Sequence, residues 1–200
     1  MIPGAILASG FSTRMGRSKA LLPMGPDGPS FVRHLAATLL RGGVSDVLVV
    51  GRPDDGALRS EVDQLSGPVR FIENFHAAQG QLSSVVAAVN AVDHPGTRAL
   101  VITPVDVPLV RDASVAALIA AFDRTRAPIL RATSSGRHGH PVIFAHALFG
   151  ELRRADPSVG AKAIVRAHEA EIVNVEVDDP GVLADVDAPE DYARLFGRPL

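Results

Sequence analysis

At 200 residues the chain has the length of one compact domain, 1–200, and two large domains are excluded. Hydrophobic residues make up 46% and charged residues 21%, enough apolar material for a core and too little charge for a disordered chain. The net charge of −2 gives no global field for nucleic acid or acidic lipid, and the absence of cysteine excludes disulfide scaffolds, Cys-ligated zinc, iron–sulfur clusters and thiol catalysis.

The first residues, Met1-Ile2-Pro3-Gly4-Ala5-Ile6-Leu7, lack the charged and long apolar regions of a signal peptide. Arg, Asp or Pro interrupts every apolar run before it could span a bilayer. A cytoplasmic protein with no membrane partner is expected. With 4% aromatic residues, no stacking platform for single-stranded nucleic acid is expected either.

Strand-like runs of β-branched and aliphatic residues fall at 5–7, 47–50, 69–72, 99–102, 141–144 and 172–177, with a shorter one at 128–132. Between them lie helix-period stretches. Phe31, Leu35, Leu39 and Leu40 follow a cap candidate at Ser30 and stop at Gly42-Gly43. Val85, Val86, Val89 and Val92 follow Ser83-Ser84, and Val115, Leu118, Ile119 and Phe122 follow Asp112. Strand and helix alternating over the first 130 or so residues predicts right-handed crossovers and a mostly parallel sheet covered on both faces, a three-layer α/β/α Rossmann-like fold. The turn-rich neighbours of the runs at 141 and 172 predict an antiparallel strand or a small excursion there. In such sheets ligands bind beyond the carboxyl ends of the strands, so the loops that follow strands are where chemistry is expected.

The loop after the first strand reads Leu7-Ala8-Ser9-Gly10-Phe11-Ser12-Thr13-Arg14-Met15-Gly16-Arg17-Ser18-Lys19. Small residues let backbone N–H groups approach anionic oxygens, and Arg14, Arg17 and Lys19 can bond to phosphates. A merely solvated turn would not need three cations. Neither the Walker A spacing nor the Gly-x-Gly-x-x-Gly dinucleotide fingerprint can be laid on these residues. The run does resemble the L-A-x-G-x-S-x-R-M-G-x-x-K signature of the MobA-like nucleotidyltransferases. The resemblance implies a Mg²⁺-dependent enzyme that moves a nucleoside monophosphate from a nucleoside triphosphate to a phosphorylated acceptor such as molybdopterin, releasing pyrophosphate. It implies that Leu7, Ala8, Ser9 and Gly10 lie at the nucleotide, and that Arg14 and Lys19 hold phosphates and act in catalysis. Guanylyl-transferring members carry L-A-G-G and cytidylyl-transferring ones L-A-A-G. Ser9 is nearer alanine, so CTP is the expected nucleotide and the molybdenum cofactor cytidylyltransferase branch the expected one.

Further along, Asn74-Phe75-His76-Ala77-Ala78-Gln79-Gly80-Gln81-Leu82-Ser83-Ser84 resembles the family's G-Q-S-x-S segment, with Leu82 replacing serine. That implies nucleotide contacts from Gly80, Gln81, Ser83 and Ser84, whereas the residues alone suggest a helix capped by Ser83. The fourth strand leads into Pro104-Val105-Asp106-Val107-Pro108-Leu109, where Asp106 could be a turn former or a ligand for a hard cation. The family's G-D-x-P-L, with Val105 here replacing glycine, implies a Mg²⁺ ligand and a catalytic role. The glycine's loss is expected to alter the loop path.

Arg137-His138-Gly139-His140-Pro141 resembles the family's G-H-P-V, which places Gly139, His140 and Pro141 at the acceptor. Two histidines at this spacing, with no third ligand nearby, do not make a transition-metal site. Gly160-Ala161-Lys162 resembles G-A-R and adds Lys162 to the acceptor side. Near the end, Asp185-Val186-Asp187-Ala188-Pro189-Glu190-Asp191 resembles D-I-D-T-P-E-D, implying Asp187 as second metal ligand with Asp185 as the alternative. Taken alone, Asp187 reads as a helix cap. His34, His94, His146 and His168 show no partner pattern, and Phe71, Phe75, Phe122, Phe144 and Phe149 are expected in or along the core. The family also implies a molybdenum hydroxylase as recipient of the product. Alternatives of other kinds are a nucleotide-binding regulator or cofactor chaperone without turnover, and an NAD-type oxidoreductase, which the absent fingerprint disfavours. An enzyme for another phosphorylated acceptor, or one using GTP, is the alternative of the same kind.

Overall fold

The computed structural model describes residues 1–12 and 15–197. Three short apolar runs become strands buried along their whole length: β1 (Gly4–Leu7), β2 (Val47–Gly51) and β4 (Ala99–Pro104). β3 (Val69–Glu73) and β7 (Ile172–Glu176) are half-exposed and form the two edges of one seven-stranded sheet, ordered β3-β2-β1-β4-β6-β5-β7. The unbroken apolar character of the central strands follows from this burial on both faces.

The β1–β2, β1–β4, β2–β3 and β5–β7 pairs are parallel. The antiparallel element expected at 141 is the hairpin of β5 (Ile129–Ser134) and β6 (Arg137–Ala145), which inserts β6 beside β4. The one expected at 172 is not antiparallel, because β7 returns through two further helices to pair parallel with β5. Its two-residue turn, Ser135-Gly136, has φ of 52° and 72°, the left-handed conformation that tight hairpins require. β6 is longer than the apolar run at 141–144 because its first half is polar.

Side chains alternate along each strand, so the sheet builds two cores. Ile6, Val47, Val49 and Val101 face α1 (Phe31–Arg41), α2 (Gly56–Asp63), α4 (Asp112–Thr125) and α7 (Pro189–Phe196). Leu7, Leu48, Val50 and Leu100 face α3 (Gln81–Val92), α5 (Phe149–Arg154) and α6 (Lys162–Ala167). The helix caps meet expectation in α1, where Ser30 Oγ accepts the Arg33 N–H at 3.3 Å. In α4 the cap lies one residue earlier, at Arg111, and α3 begins at Gln81, so Ser83 lies inside the helix rather than capping it. Gly80, with φ of 93°, makes that entry.

Phe122, Phe144 and Phe149 are buried as expected, but Phe75 stands 72% exposed because it follows β3 at the sheet's edge, where no helix covers it. Two of the histidines have acidic partners: His146 Nε2 lies 2.7 Å from Asp93, and His168 bridges Glu151 and Glu171, each at 2.9 Å. Among the described residues no helix is long and apolar enough to cross a membrane.

Candidate active site

The loops after β1 and β4 and the segment that precedes α7 converge at the carboxyl ends of the central strands. Backbone hydrogen bonds continue past the strands and fix the first two. Ala8 N–H donates to the Val50 carbonyl at 2.8 Å, and Val105 N–H donates to the Leu7 carbonyl at 3.0 Å. Val105 is buried in the core, so the residue that replaces the family's glycine extends the pairing of the loop with β1. Ser9 is also buried, and its hydroxyl donates to the same Val50 carbonyl at 3.0 Å.

These loops enclose a cavity of about 340 Å³. It is lined by Leu7, Ala8, Ser9, Gly10, Lys19, Gly80, Gln81, Ser84, Asp106 and Asp187, all expected, and by Phe11, Ser12, Ser18, Ala20, Ala77, Pro104 and Val105. Arg14 lies outside the described residues. Ser83 does not line this cavity: its hydroxyl donates to the Gly80 carbonyl at 2.7 Å and receives the Asn74 amide at 2.8 Å. Asn74 is buried and also donates to Ser84 Oγ at 3.0 Å, so one asparagine after β3 sets the first turn of α3 against the cavity. The sequence carried Asn74 in the quoted segment, but nothing in its spacing distinguished it from a loop residue.

Lys19, also on the cavity wall, stands in a short 3₁₀ turn (Lys19–Leu21), with its backbone N–H donating to Ser12 Oγ at 3.2 Å. Its ammonium donates to Asp187 Oδ1 at 2.8 Å and reaches Asp106 Oδ2 at 3.4 Å. Two carboxylates 81 positions apart in the chain thus share one cation. Their backbones are joined as well, since Val186 N–H donates to the Asp106 carbonyl at 2.8 Å.

The segment carrying Asp187 is fixed by side chains rather than by the sheet. Asp179 is buried and accepts from Arg111 N–H at 2.9 Å, Ser114 Oγ at 2.7 Å and Gly181 N–H at 3.0 Å. A side chain at Gly181 would meet the Leu109 carbonyl at 2.1 Å, so this turn can nest against the β4 loop only with glycine there. Asp191 accepts the N–H groups of Asp187 and Ala188, both at 3.0 Å, and these bonds hold its carboxyl below the usual range. The helix cap anticipated at Asp187 is therefore supplied by Asp191 from within α7. Tyr192 packs on Phe31 and Phe196, and its hydroxyl donates to the Pro23 carbonyl at 3.0 Å, docking α7 beside Lys19.

Asp185 does not line the cavity. Its carboxyl is pushed up, first by desolvation and then by the negative charge of Asp106 and Asp187, with Lys19 opposing. Gly139, His140, Pro141 and Lys162 do not line the cavity either. Gly139 lies where a side chain would meet the Val182 carbonyl at 2.1 Å, a packing reason for glycine. Lys162 is exposed at the start of α6, whose apolar residues join the other core. His140 alone approaches the site. Burial keeps its imidazole below the usual value, the Asp106 charge opposes this, and its Nδ1 is enclosed without a partner.

The donor set can be tested against Mg²⁺ by its chemistry. Two carboxylates converge on one ammonium, so a cation already occupies the place where they meet. Among the described residues no three His, Cys, Asp or Glu side chains cluster to hold a metal. One or two carboxylates, completed by phosphate and water, is the way Mg²⁺ is usually taken, and the pair fits that pattern.

Residues 4–172 match the family described as the MobA-like NTP transferase domain. A molybdenum cofactor guanylyltransferase of Xanthomonas euvesicatoria pv. vesicatoria is 30% identical over 96% of this chain and 93% of its own. A Bacillus subtilis relative named purine catabolism protein PucB is 29% identical over 94% of this chain and 93% of its own. The crystal structure of a Mycobacterium sp. strain JC1 homologue of Rv0371c superimposes with a TM-score of 0.77 at 27% identity, covering 98% of this chain and 95% of that one. The Xanthomonas name specifies guanylyl transfer, so it gives no support to the CTP expected from Ser9.

Proposed function

Because this chain belongs to the MobA-like NTP transferase domain family and is a nucleotidyltransferase, we propose that it transfers a nucleoside monophosphate to molybdopterin in the cytoplasm. An oxygen of the acceptor phosphate attacks the α-phosphorus of the triphosphate, the new P–O bond forms, and pyrophosphate leaves. No side-chain nucleophile is needed, so the protein's contribution is positioning and charge neutralisation. The observation that carries this reading is the ammonium of Lys19 held between Asp106 and Asp187 in a cavity walled by a small-residue loop.

In the nucleotide-free chain that ammonium offsets both carboxylates. An arriving triphosphate offers it a more highly charged partner, and Lys19, with Arg14, then holds phosphate oxygens. Asp106 and Asp187 would hold Mg²⁺, which when bound neutralises charge on those oxygens. Burial disfavours a charged His140 imidazole beside Asp106, against the pull of that carboxylate.

For the base, the Xanthomonas relative's name supports GTP. CTP is the second reading. It rests on Ser9, whose hydroxyl proton is committed to the Val50 carbonyl, leaving a small closed surface much as alanine would. Pyrophosphate release with Mg²⁺, molybdopterin and each of GTP, CTP, ATP and UTP tests the proposal. Release confined to GTP supports the first reading and release confined to CTP the second. Binding of a triphosphate with no release from any would overturn the transfer to molybdopterin.

A further inference from the structure

Arg52 is the first residue after β2, and none of the motifs in the sequence includes it. Its side chain is 22% exposed and reaches across to the loop that follows β1. Nη1 donates to the Gly10 carbonyl at 3.1 Å, and the guanidinium lies 4.8 Å from the centre of the Phe11 ring. Nε donates to Asp54 at 3.0 Å, but that carboxylate is 76% exposed and its pull is screened by water. The two contacts to the loop tie the side chain to residues 10 and 11.

Gly10, Phe11, Ser12 and Ser18 line both the nucleotide cavity and a neighbouring polar cavity, to which Arg52 and Arg17 contribute. In a planar trans peptide the C=O and the following N–H point in opposite directions. A Gly10 carbonyl drawn towards Arg52 consequently turns the Phe11 N–H away from it. The ring of Phe11, 59% exposed and without a core to hold it, is steadied by the same guanidinium. One side chain thus fixes both the peptide plane and the ring at the mouth of the cavity.

We propose that Arg52 is a positioning residue for nucleotide binding, which presets the Gly10–Phe11 peptide for an anionic ligand without touching that ligand. This rests on the reading of the cavity as a nucleoside triphosphate site. The test is calorimetric binding of GTP and CTP with Mg²⁺, alongside steady-state kinetics, for the wild-type chain, for Arg52→Ala, Arg52→Lys and Phe11→Leu, and for the Arg52→Ala/Phe11→Leu double variant.

Arg52→Ala is expected to weaken binding and raise KM about tenfold, the scale of one charge-assisted hydrogen bond with a cation–π contact, while kcat stays within about twofold. Arg52→Lys keeps the charge but not the planar fork and recovers part of the loss. The Arg52→Ala/Phe11→Leu pair is expected to be less than additive, because both act through one loop. Faster amide exchange across residues 10–12 in Arg52→Ala, with an unchanged melting temperature, would support the same conclusion without any ligand. Unchanged affinity and exchange in Arg52→Ala would overturn the proposal while leaving the nucleotide site intact. A fall in kcat at constant KM would overturn it in favour of direct contact with the reacting atoms. A wild-type chain that binds neither triphosphate would overturn the nucleotide reading, and this proposal with it.

Discussion

Asp106 and Asp187 are the same chemical group presented to the same ammonium, yet the molecule holds them by different means. Asp106 sits two residues past β4, on a loop whose backbone is still hydrogen-bonded to β1, between strands buried on both faces. Asp187 sits in irregular chain after β7, and its place depends on Asp179, Asp191, Tyr192 and one backbone bond to Asp106 itself. The first carboxylate is positioned by the sheet and shares the sheet's stability. The second is positioned by a few side-chain bonds, so local changes can detach it while the fold persists.

The sharpest way to separate the two is to remove the group without disturbing its support. Asp106→Ala is expected to lower turnover by about a thousandfold, the scale of several kcal/mol of lost charge stabilisation, with a melting temperature close to wild type. Steady-state rates and calorimetry check it together.

Removing a support comes next. Asp179→Ala leaves the buried donors of Ser114 and Gly181 and the half-buried N–H of Arg111 without their acceptor, at a cost of about 1–3 kcal/mol. Denaturant unfolding should register that loss, and amide exchange should rise in 180–188 more than in 101–106.

A smaller effect is expected at Asp191. Its depressed carboxyl contributes stability that is present above about pH 4 and is lost as pH falls through the folded-state value. Thermal melts of Asp191→Asn should therefore show a shallower acid dependence than wild type, and exchange should rise around Asp187 first. The smallest effect lies away from both regions. His168 is raised by its bonds to Glu151 and Glu171, so its contribution is present below about pH 6.5 and is lost as pH rises through the raised value. An imidazole titration by NMR should place His168 above the reference value, and Glu151→Gln should lower it.

The same division governs how much could be read from the sequence. The loop after β1, the strand runs and Asp106 are local patterns, an apolar strand followed by small and charged residues, and the structure places Leu7–Gly10 and Lys19 on one cavity. An antiparallel element near 141 was legible from its turn residues, but the same signal at 172 misled, since turn residues do not tell which neighbour the strand will pair with and β7 runs parallel to β5. Asp179 and Asp191 were not, because their roles depend on partners 65 residues away and on a helix that reaches back to its own entrance. Ser83 misled for a local reason: Gly80 starts the helix earlier than a serine cap would. Gly139 has a packing role the motif could not disclose, since the Val182 carbonyl it meets arrives from the C-terminal segment. Arg52 lay in no motif, because what it touches is the backbone of a loop 42 residues away.

The sheet-held and the side-chain-held carboxylates act as one site, and Mn²⁺ binding followed by electron paramagnetic resonance in the presence of a non-hydrolysable GTP or CTP analogue tests this. The prediction is that Asp106→Ala and Asp187→Ala each weaken Mn²⁺ binding at least tenfold, and that the double variant binds little worse than either single one. Wild-type Mn²⁺ affinity in either single variant would contradict it.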